Sequence, residues 1–201
     1  MKKFLIAASA AVVLAAAYIA SPFLTAWTIR EAIRTGNSDY LAAKLEWETV
    51  RVSLRDSLTE YAIGPTPVAA PGIQAKQPGF WQRIKNGLSK RAVDNIVDAY
   101  VTPEGLPQLF NMRQLYRENI SNNTAALDAL PWHERARNFW TRIKRAEFHS
   151  TSEFEIEMAD RNDPTRHYIG LLKLRGLQWK LVELRLKTVR QAALPLATDP
   201  A

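Results

Sequence analysis

The most apolar part of the chain lies at its beginning. Phe4–Ala20 carries no charge, follows the cationic pair Lys2-Lys3, and is succeeded by no further charge until Arg30. This pattern is typical of the hydrophobic region of a secretory signal or of a short signal-anchor. The uncharged run spans roughly 26 residues, nominally enough for a hydrocarbon layer of about 30 Å, although Ser21-Pro22 interrupts it.

Two fates of this leader stay open. Ala15 and Ala17 have the spacing of an A-x-A cleavage site, and cleavage there releases a protein that begins at Tyr18. Alternatively the leader is retained as an anchor, with Lys2 and Lys3 inside and the rest outside, as the positive-inside rule predicts. We favour the anchor over cleavage, and both over a buried core helix, because the leader has no polar positions that mark a solvent face.

Apolar residues then recur at intervals of three and four, which is the period of an amphipathic helix. Ser21 is predicted to cap a helix with Pro22 at its first position, and Gly36 is predicted to end it. Residues 102–104 (Thr-Pro-Glu) are predicted to open a further short helix through Phe110. The helical stripes lie within three segments: Phe23–Arg34, Trp47–Tyr61 and Phe80–Tyr100.

After Arg142 the period changes to two, which predicts β-strands. Between residues 147 and 158 the side chains alternate, and we expect one half-buried strand there. A turn is predicted at 160–165, a second strand at 167–176 and a third at 178–186. Because helices precede a run of consecutive strands, we predict an α+β fold, with a helical layer packed on a C-terminal antiparallel β-meander.

Proline and glycine divide the chain further. Residues 64–79 contain four prolines and three glycines, too many for a regular element, and predict an irregular connection. We therefore expect residues 1–20 to be a signal peptide or signal-anchor and residues 21–187 to be a single domain that contains this loop. Residues 188–201 are expected to form a flexible tail.

Composition removes several classes of function. The chain has 201 residues, a formal net charge of +7 and no cysteine, which excludes a disulfide scaffold, a Cys-ligated metal site and a thiol nucleophile. The sequence also lacks a G-x-S-x-G elbow, a phosphate-binding glycine loop and a G-x-G-x-x-G fingerprint. Loss of Lys2 and Lys3 takes the charge from +7 to +5, so the exported part stays basic and attracts anionic surfaces weakly.

Three stretches resemble the bacterial proteins grouped as DUF2939, a domain of unknown function. They are SPFLTAWTIREAIRTGNSDYLAAKLEWETVRVSLRDSL (21–58), VTPEGLPQLF (101–110) and LLKLRGLQWKLVELRL (171–186), and the likeness extends over nearly the whole chain. The last stretch also looks like the terminal hairpin of cystatin-like or NTF2-like α+β folds. The resemblance implies export and an α+β fold, and it implies no activity.

Histidine and glutamate are the first candidates for chemistry. His133, His149 and His167 have no metal-binding spacing, although the last two would form a two-ligand platform if they faced each other across a hairpin. Glu153, Glu155 and Glu157 form a row in which like charges would raise one pKa for acid–base work. We favour a solvated sheet face on which this row pairs with cations of neighbouring strands, namely Arg166, Lys173 or Lys180.

Two basic stretches are candidates for anionic surfaces such as lipid headgroups. The first comprises Arg83, Lys85, Lys90 and Arg91, and the second comprises Arg135, Arg137, Arg142, Lys144 and Arg145 beside Trp132, Phe139 and Trp140. We favour solvated helices whose aromatic residues face the core and whose arginines face water. Export argues against nucleic acid as a partner.

An aromatic set is the candidate ligand-binding site. Its members, which we expect between the sheet and the helices, are Trp140, Phe148, Phe154, Tyr168 and Trp179. They would line a pocket for a small apolar ligand, although plain core packing is the preferred interpretation.

The sequence thus predicts a bacterial envelope protein that contacts the membrane through its N-terminal segment. It faces the periplasm from the inner membrane, or is periplasmic if the leader is cleaved. We expect a non-enzymatic binding or interaction module, whose partner is an envelope protein or a small apolar ligand, with no nucleic acid, cofactor, metal or catalytic residue assigned. The alternatives are an enzyme that uses the strand carboxylates and histidines, and a structural module with a basic face on the membrane.

Overall fold

The computed structural model describes residues 2–63, 90–110, 130–160, 163 and 165–188. The helices are α1 (Lys2–Thr35), α2 (Ser38–Lys44), α3 (Trp47–Ile63), α4 (Lys90–Tyr100), α5 (105–110) and α6 (Trp132–Trp140). The strands are β1 (Ile143–Ser150), β2 (Glu153–Ala159), β3 (Arg166–Arg175) and β4 (Gln178–Thr188). The predicted α+β class is confirmed. The predicted loop at 64–79 lies outside the described residues, and of the predicted tail only Thr188 is described.

Helix α1 continues through the point where a new helix was predicted to begin. Pro22 lies inside it and lacks the N–H that would bond the carbonyl of Tyr18 four residues earlier. The hydroxyl of Ser21 takes that place, donating to the Tyr18 carbonyl at 2.6 Å. The prediction of a helix start at Ser21-Pro22 is therefore wrong, because a side-chain donor replaces the missing backbone donor.

Helix α1 ends where glycine was predicted to end it. Gly36 has a φ of +74°, a left-handed conformation that glycine adopts without a steric penalty. The N–H of Asn37 then bonds the carbonyl of Ala32 at 2.9 Å and so closes the last turn. The chain consequently reverses there, and α2 packs beside α1.

The four strands form one antiparallel sheet in the order β1-β2-β3-β4. The meander is confirmed, but residues 147–158 belong to two strands, with the turn at Thr151-Ser152. Cross-strand partners such as Phe148 and Phe154 share the same parity, so the alternation of polar and apolar residues continues through this hairpin. That continuity hides the turn and explains why three strands were expected in place of four.

The helices cover one face of the sheet. The core there includes Val50 of α3, Val97 of α4 and Phe154 of β2, which are each at most 1% exposed. The stripe predicted within 47–61 thus lies in the core through Val50 and Leu58. The described part of the stripe predicted within 80–100 lies there through Val93 and Val97.

The outer edge of β4 is covered by α3 and the residues before it. Ser53 Oγ accepts a hydrogen bond from the N–H of Leu184, and Ser57 Oγ accepts one from the N–H of Leu186, both at 3.1 Å. The N–H of Glu46 bonds the carbonyl of Leu181 at 2.9 Å. These bonds satisfy backbone groups that would otherwise be open to another strand.

Candidate functional site

Four of the five predicted pocket residues lie in one aromatic cluster. The ring of Phe148 is 4.9 Å from that of Phe154 and 6.1 Å from that of Trp179, measured between centroids. Trp140 joins through Phe23 of α1, whose ring lies 5.5 Å from Trp140 and 4.7 Å from Phe154. Phe154 and Trp179 are buried in the main core and Phe23 and Phe148 pack against it, whereas Trp140 is 46% exposed.

The fifth residue, Tyr168, lies on β3 opposite Met158, away from the cluster around Phe154. Its hydroxyl donates to Asp160 at 2.7 Å. Tyr18 was not predicted to belong to this site, yet its ring lies 6.2 Å from both Phe148 and Trp179. An aromatic residue at the end of an apolar leader is the signal that could have indicated it. The small-ligand pocket stays a prediction.

The carboxylate row lies on the face of the sheet opposite the helices, and its members are paired. Lys173 Nζ lies 2.7 Å from Glu153, as one of the predicted pairings has it. Arg166 instead bonds Asp163 at 2.7 Å. The hydrogen bond and charge of Lys173 hold the pKa of Glu153 below its ordinary value.

The other two glutamates of the row are more enclosed. Glu155 is 8% exposed and contacts Arg145 and, at 3.3 Å, Arg185. The hydrogen bond from His167 lowers the pKa of Glu157 despite partial burial, and Lys187 and Arg145 add attraction. General acid catalysis needs a carboxyl group whose pKa is raised. The neighbours of Glu153 and Glu157 instead lower the pKa of these two groups.

The two strand histidines are separated. His149 lies beside the β1–β2 turn, 3.7 Å from Glu155, whereas His167 is paired in register with Ala159 at the other end of β2. The two-histidine platform is therefore not formed. Within the described ranges, no group of three or more metal-ligating side chains is placed to hold an ion.

The second basic stretch differs from the solvated helix that was expected. Arg135 turns inward to Glu31 of α1 at 3.3 Å, and Arg142 donates from Nε to the carbonyl of Ala159 at 2.9 Å. Phe139 is buried as predicted, but Trp132 and Trp140 are 70% and 46% exposed. Residues 132 and 139 are seven apart and share one side of α6, so the exposure of Trp132 at the start of the helix is set by what lies beside its first turn. Of the first stretch, Arg83 and Lys85 lie outside the described residues.

An open groove of about 470 Å³ lies between α3 and β4. Its carboxylates are Glu48, Asp56 and Glu60 of α3 and Glu183 of β4, and Arg185 supplies a cation. Val52, which is 47% exposed, lies among them. Sequence reasoning missed this groove, although positions 48, 52, 56 and 60 repeat at four-residue spacing and therefore share one face of a helix.

Helix α1 carries the remaining candidate, a membrane contact. Its described side chains from Phe4 to Ala20 are exposed, whereas Pro22 is fully buried and Ile29 is 6% exposed. The stretch Ile6–Thr35 is long and apolar enough to cross a membrane, by length and composition. Such a helix is compatible with a membrane anchor and with a signal sequence.

These features define an α+β domain whose first helix begins as a long exposed apolar segment. The family model described as "Protein of unknown function (DUF2939)" matches residues 11–109, and this match supports the assignment of the chain to that family. The resemblance is thereby confirmed for residues 21–58 and for most of 101–110. The match does not include residues 171–186, so the likeness of that stretch to the family stays a prediction.

Two further comparisons, with curated proteins and with solved structures, found no similar protein. The likeness to cystatin-like or NTF2-like folds accordingly stays a prediction.

Proposed function

We propose that this chain is a bacterial envelope protein held at the inner membrane by the first half of α1, with its α+β domain in the periplasm. The domain serves there as a non-enzymatic binding or interaction module. Retention of the leader and cleavage after Ala17 give the same folded domain, because the packed part of α1 begins beyond that position.

The continuity of α1 is the observation that carries this proposal. One helix joins the exposed apolar segment to residues that pack in the core, including Phe23, Ile29 and Ala32. An exposed apolar helix of about 17 residues, roughly 26 Å long, is unfavourable in water and matches the hydrocarbon thickness of a bilayer. The two lysines that precede it favour a cytoplasmic N-terminus.

Binding is supported over catalysis by the state of the polar groups near the groove. Three hydroxyls line it and all are bonded to the backbone: Ser53 and Ser57 accept from β4, and Thr49 donates to the carbonyl of Glu46. Its carboxylates lie on an open surface, where water screens one charge from another. An open groove with an exposed apolar residue suits contact with a partner better than proton transfer.

Fractionation tests the location. The chain, expressed with a C-terminal epitope in a bacterium, is expected in the inner-membrane fraction and is expected to resist alkaline extraction. Intact-mass analysis separates a start at Met1 from a start at Tyr18. Recovery from the cytosol with the leader intact would overturn the envelope proposal.

Site-specific photo-crosslinking tests the binding role. A photoreactive residue replaces Val52 in the groove, and a matched control replaces Glu147, an exposed residue on β1. We expect a discrete adduct of higher mass in cells from position 52 and none from position 147. No adduct at position 52, or equal adducts at both positions, would contradict binding in the groove.

A further inference from the structure

Two hairpin turns lie together at one end of the sheet. In an antiparallel meander, the β1–β2 and β3–β4 turns fall at the same end and the β2–β3 turn falls at the other. The N–H of Leu174 bonds the carbonyl of Ser152 at 2.8 Å, which joins the two neighbouring strand ends. The turns at 151–152 and 176–177 therefore form one surface, which we name the hairpin end.

Helix α1 leaves the domain at the hairpin end. The hydroxyl of Tyr18 donates to the carbonyl of Thr151, and the indole N–H of Trp179 donates to Ser21 Oγ at 2.8 Å. Further along α1, Glu31 contacts Arg135 of α6, the helix that precedes the start of β1 at the other end of the sheet. The helix thus runs along the sheet, and its exposed apolar half extends beyond the hairpin end.

The hairpin end carries an exposed leucine. Leu177 is 98% exposed, next to Gly176, whose φ of +63° makes the turn tight. Leucine at the tip of a tight turn gains nothing from the domain's own core. It is an exposed apolar side chain, like those of the apolar half of α1, which leaves the domain at the same end of the sheet.

Cations exceed carboxylates around this leucine. Lys173 and Lys180 are cross-strand partners, and Arg175 lies two residues before Leu177. Lys44 joins them by donating to Gln178 at 3.1 Å. The carboxylates bonded to this group are Glu46, which pairs with Arg175, and Glu153, which pairs with Lys173. Four cations beside two carboxylates leave a positive surface, which anionic lipid headgroups attract.

We propose that the hairpin end is a membrane-contacting surface, on which Leu177 enters the interfacial layer of an anionic bilayer while Lys173, Arg175 and Lys180 meet lipid phosphates. This inference rests on the proposed anchoring by α1. Two contacts with the bilayer, the helix and the hairpin end, fix the orientation of the domain, and the groove between α3 and β4 is held at a set distance from the lipid.

Single cysteines provide the test, because the natural chain has none. Full-length Leu177→Cys and the matched control Thr188→Cys, at the opposite end of the sheet, are labelled with an environment-sensitive fluorophore. Both are reconstituted into vesicles of phosphatidylcholine with a minority of phosphatidylglycerol. We expect a blue-shifted emission at position 177 and a several-fold greater quenching there by doxyl-labelled lipid, with water-like emission at position 188.

The outcomes separate this inference from the anchoring proposal. Failure of the chain to float with vesicles overturns anchoring, and the inference falls with it. Flotation with water-like emission at position 177 overturns the inference alone. Equal quenching at position 177 in vesicles without phosphatidylglycerol overturns the role of the cations. A label at Thr151→Cys is expected to lose its quenching when Leu177→Asp is added, while the midpoint of thermal unfolding in detergent stays unchanged.

Discussion

At the scale of single residues, Ser21 connects the leader to the domain. Its hydroxyl donates to the carbonyl of Tyr18 and accepts from the indole of Trp179, so one side chain satisfies groups on α1 and β4. Without it, the carbonyl left unbonded by Pro22 and a nearly buried indole N–H would both lack a partner. This dual role explains why a serine before a proline continues this helix, whereas the same pair usually begins one.

Replacing this hydroxyl should therefore weaken the domain. Ser21→Ala is expected to lower the free energy of unfolding by about 1–3 kcal/mol, the cost of leaving a buried group unsatisfied. Urea unfolding in detergent, followed by tryptophan fluorescence, measures it. The control is Thr35→Ala, whose exposed hydroxyl bonds only carbonyls of its own helix, with an expected change within about 0.5 kcal/mol. Equal losses in the two variants would contradict this role of Ser21.

At the scale of elements, the spacing of apolar residues predicted the helices and strands, which interactions between residues close in sequence determine. The 3.6 period predicted α3, and the period of two predicted the strands, since side-chain burial repeats with backbone geometry. The turn at Thr151-Ser152 was not predicted, because the alternation of polar and apolar residues continues through it. The hydrogen bonds of Ser53 and Ser57 to β4 were not predicted either, because they join residues roughly 130 positions apart in the sequence.

The candidate site likewise has a part that the sequence predicted and a part that it did not. The aromatic residues near Phe154 were predicted as a group because apolar residues of adjacent strands share a face. The groove depends on how α3 lies against β4, which sequence periodicity does not determine. The exposure of Trp132 and Trp140 likewise depends on the neighbours of α6 and not on its own pattern.

Covering the edge of β4 is a property of α3 that a pair of substitutions tests. Ser53→Ala with Ser57→Ala leaves the N–H groups of Leu184 and Leu186 without acceptors and should cost about 2–5 kcal/mol. Hydrogen exchange at these two amides should accelerate. The control, Thr49→Ala, removes a hydroxyl that bonds the Glu46 carbonyl within its own helix turn, and it should leave both amides protected. Unchanged exchange in the double variant would show that the hydroxyls of Ser53 and Ser57 do not protect the edge of β4.

At the scale of the whole molecule, α1 belongs to two environments. Its first half is exposed and apolar, and its second half packs in the core of the domain. The transition falls between Tyr18, which is 38% exposed, and Pro22, which is fully buried. The folded domain therefore depends on residues that directly follow the predicted cleavage position, and it depends little on those before it.

Two truncated chains test where the domain begins. A chain that starts at Tyr18 keeps the aromatic contacts of that residue, the bonds of Ser21 and the burial of Pro22, and it should fold as a soluble protein. A chain that starts at Phe23 loses all of these, and its free energy of unfolding should be lower by about 2–4 kcal/mol. Circular dichroism and urea unfolding compare the two. If the chain from Tyr18 does not fold, the leader is part of the domain; if both are equally stable, the Tyr18–Pro22 contacts contribute nothing, and the domain begins inside α1 beyond them.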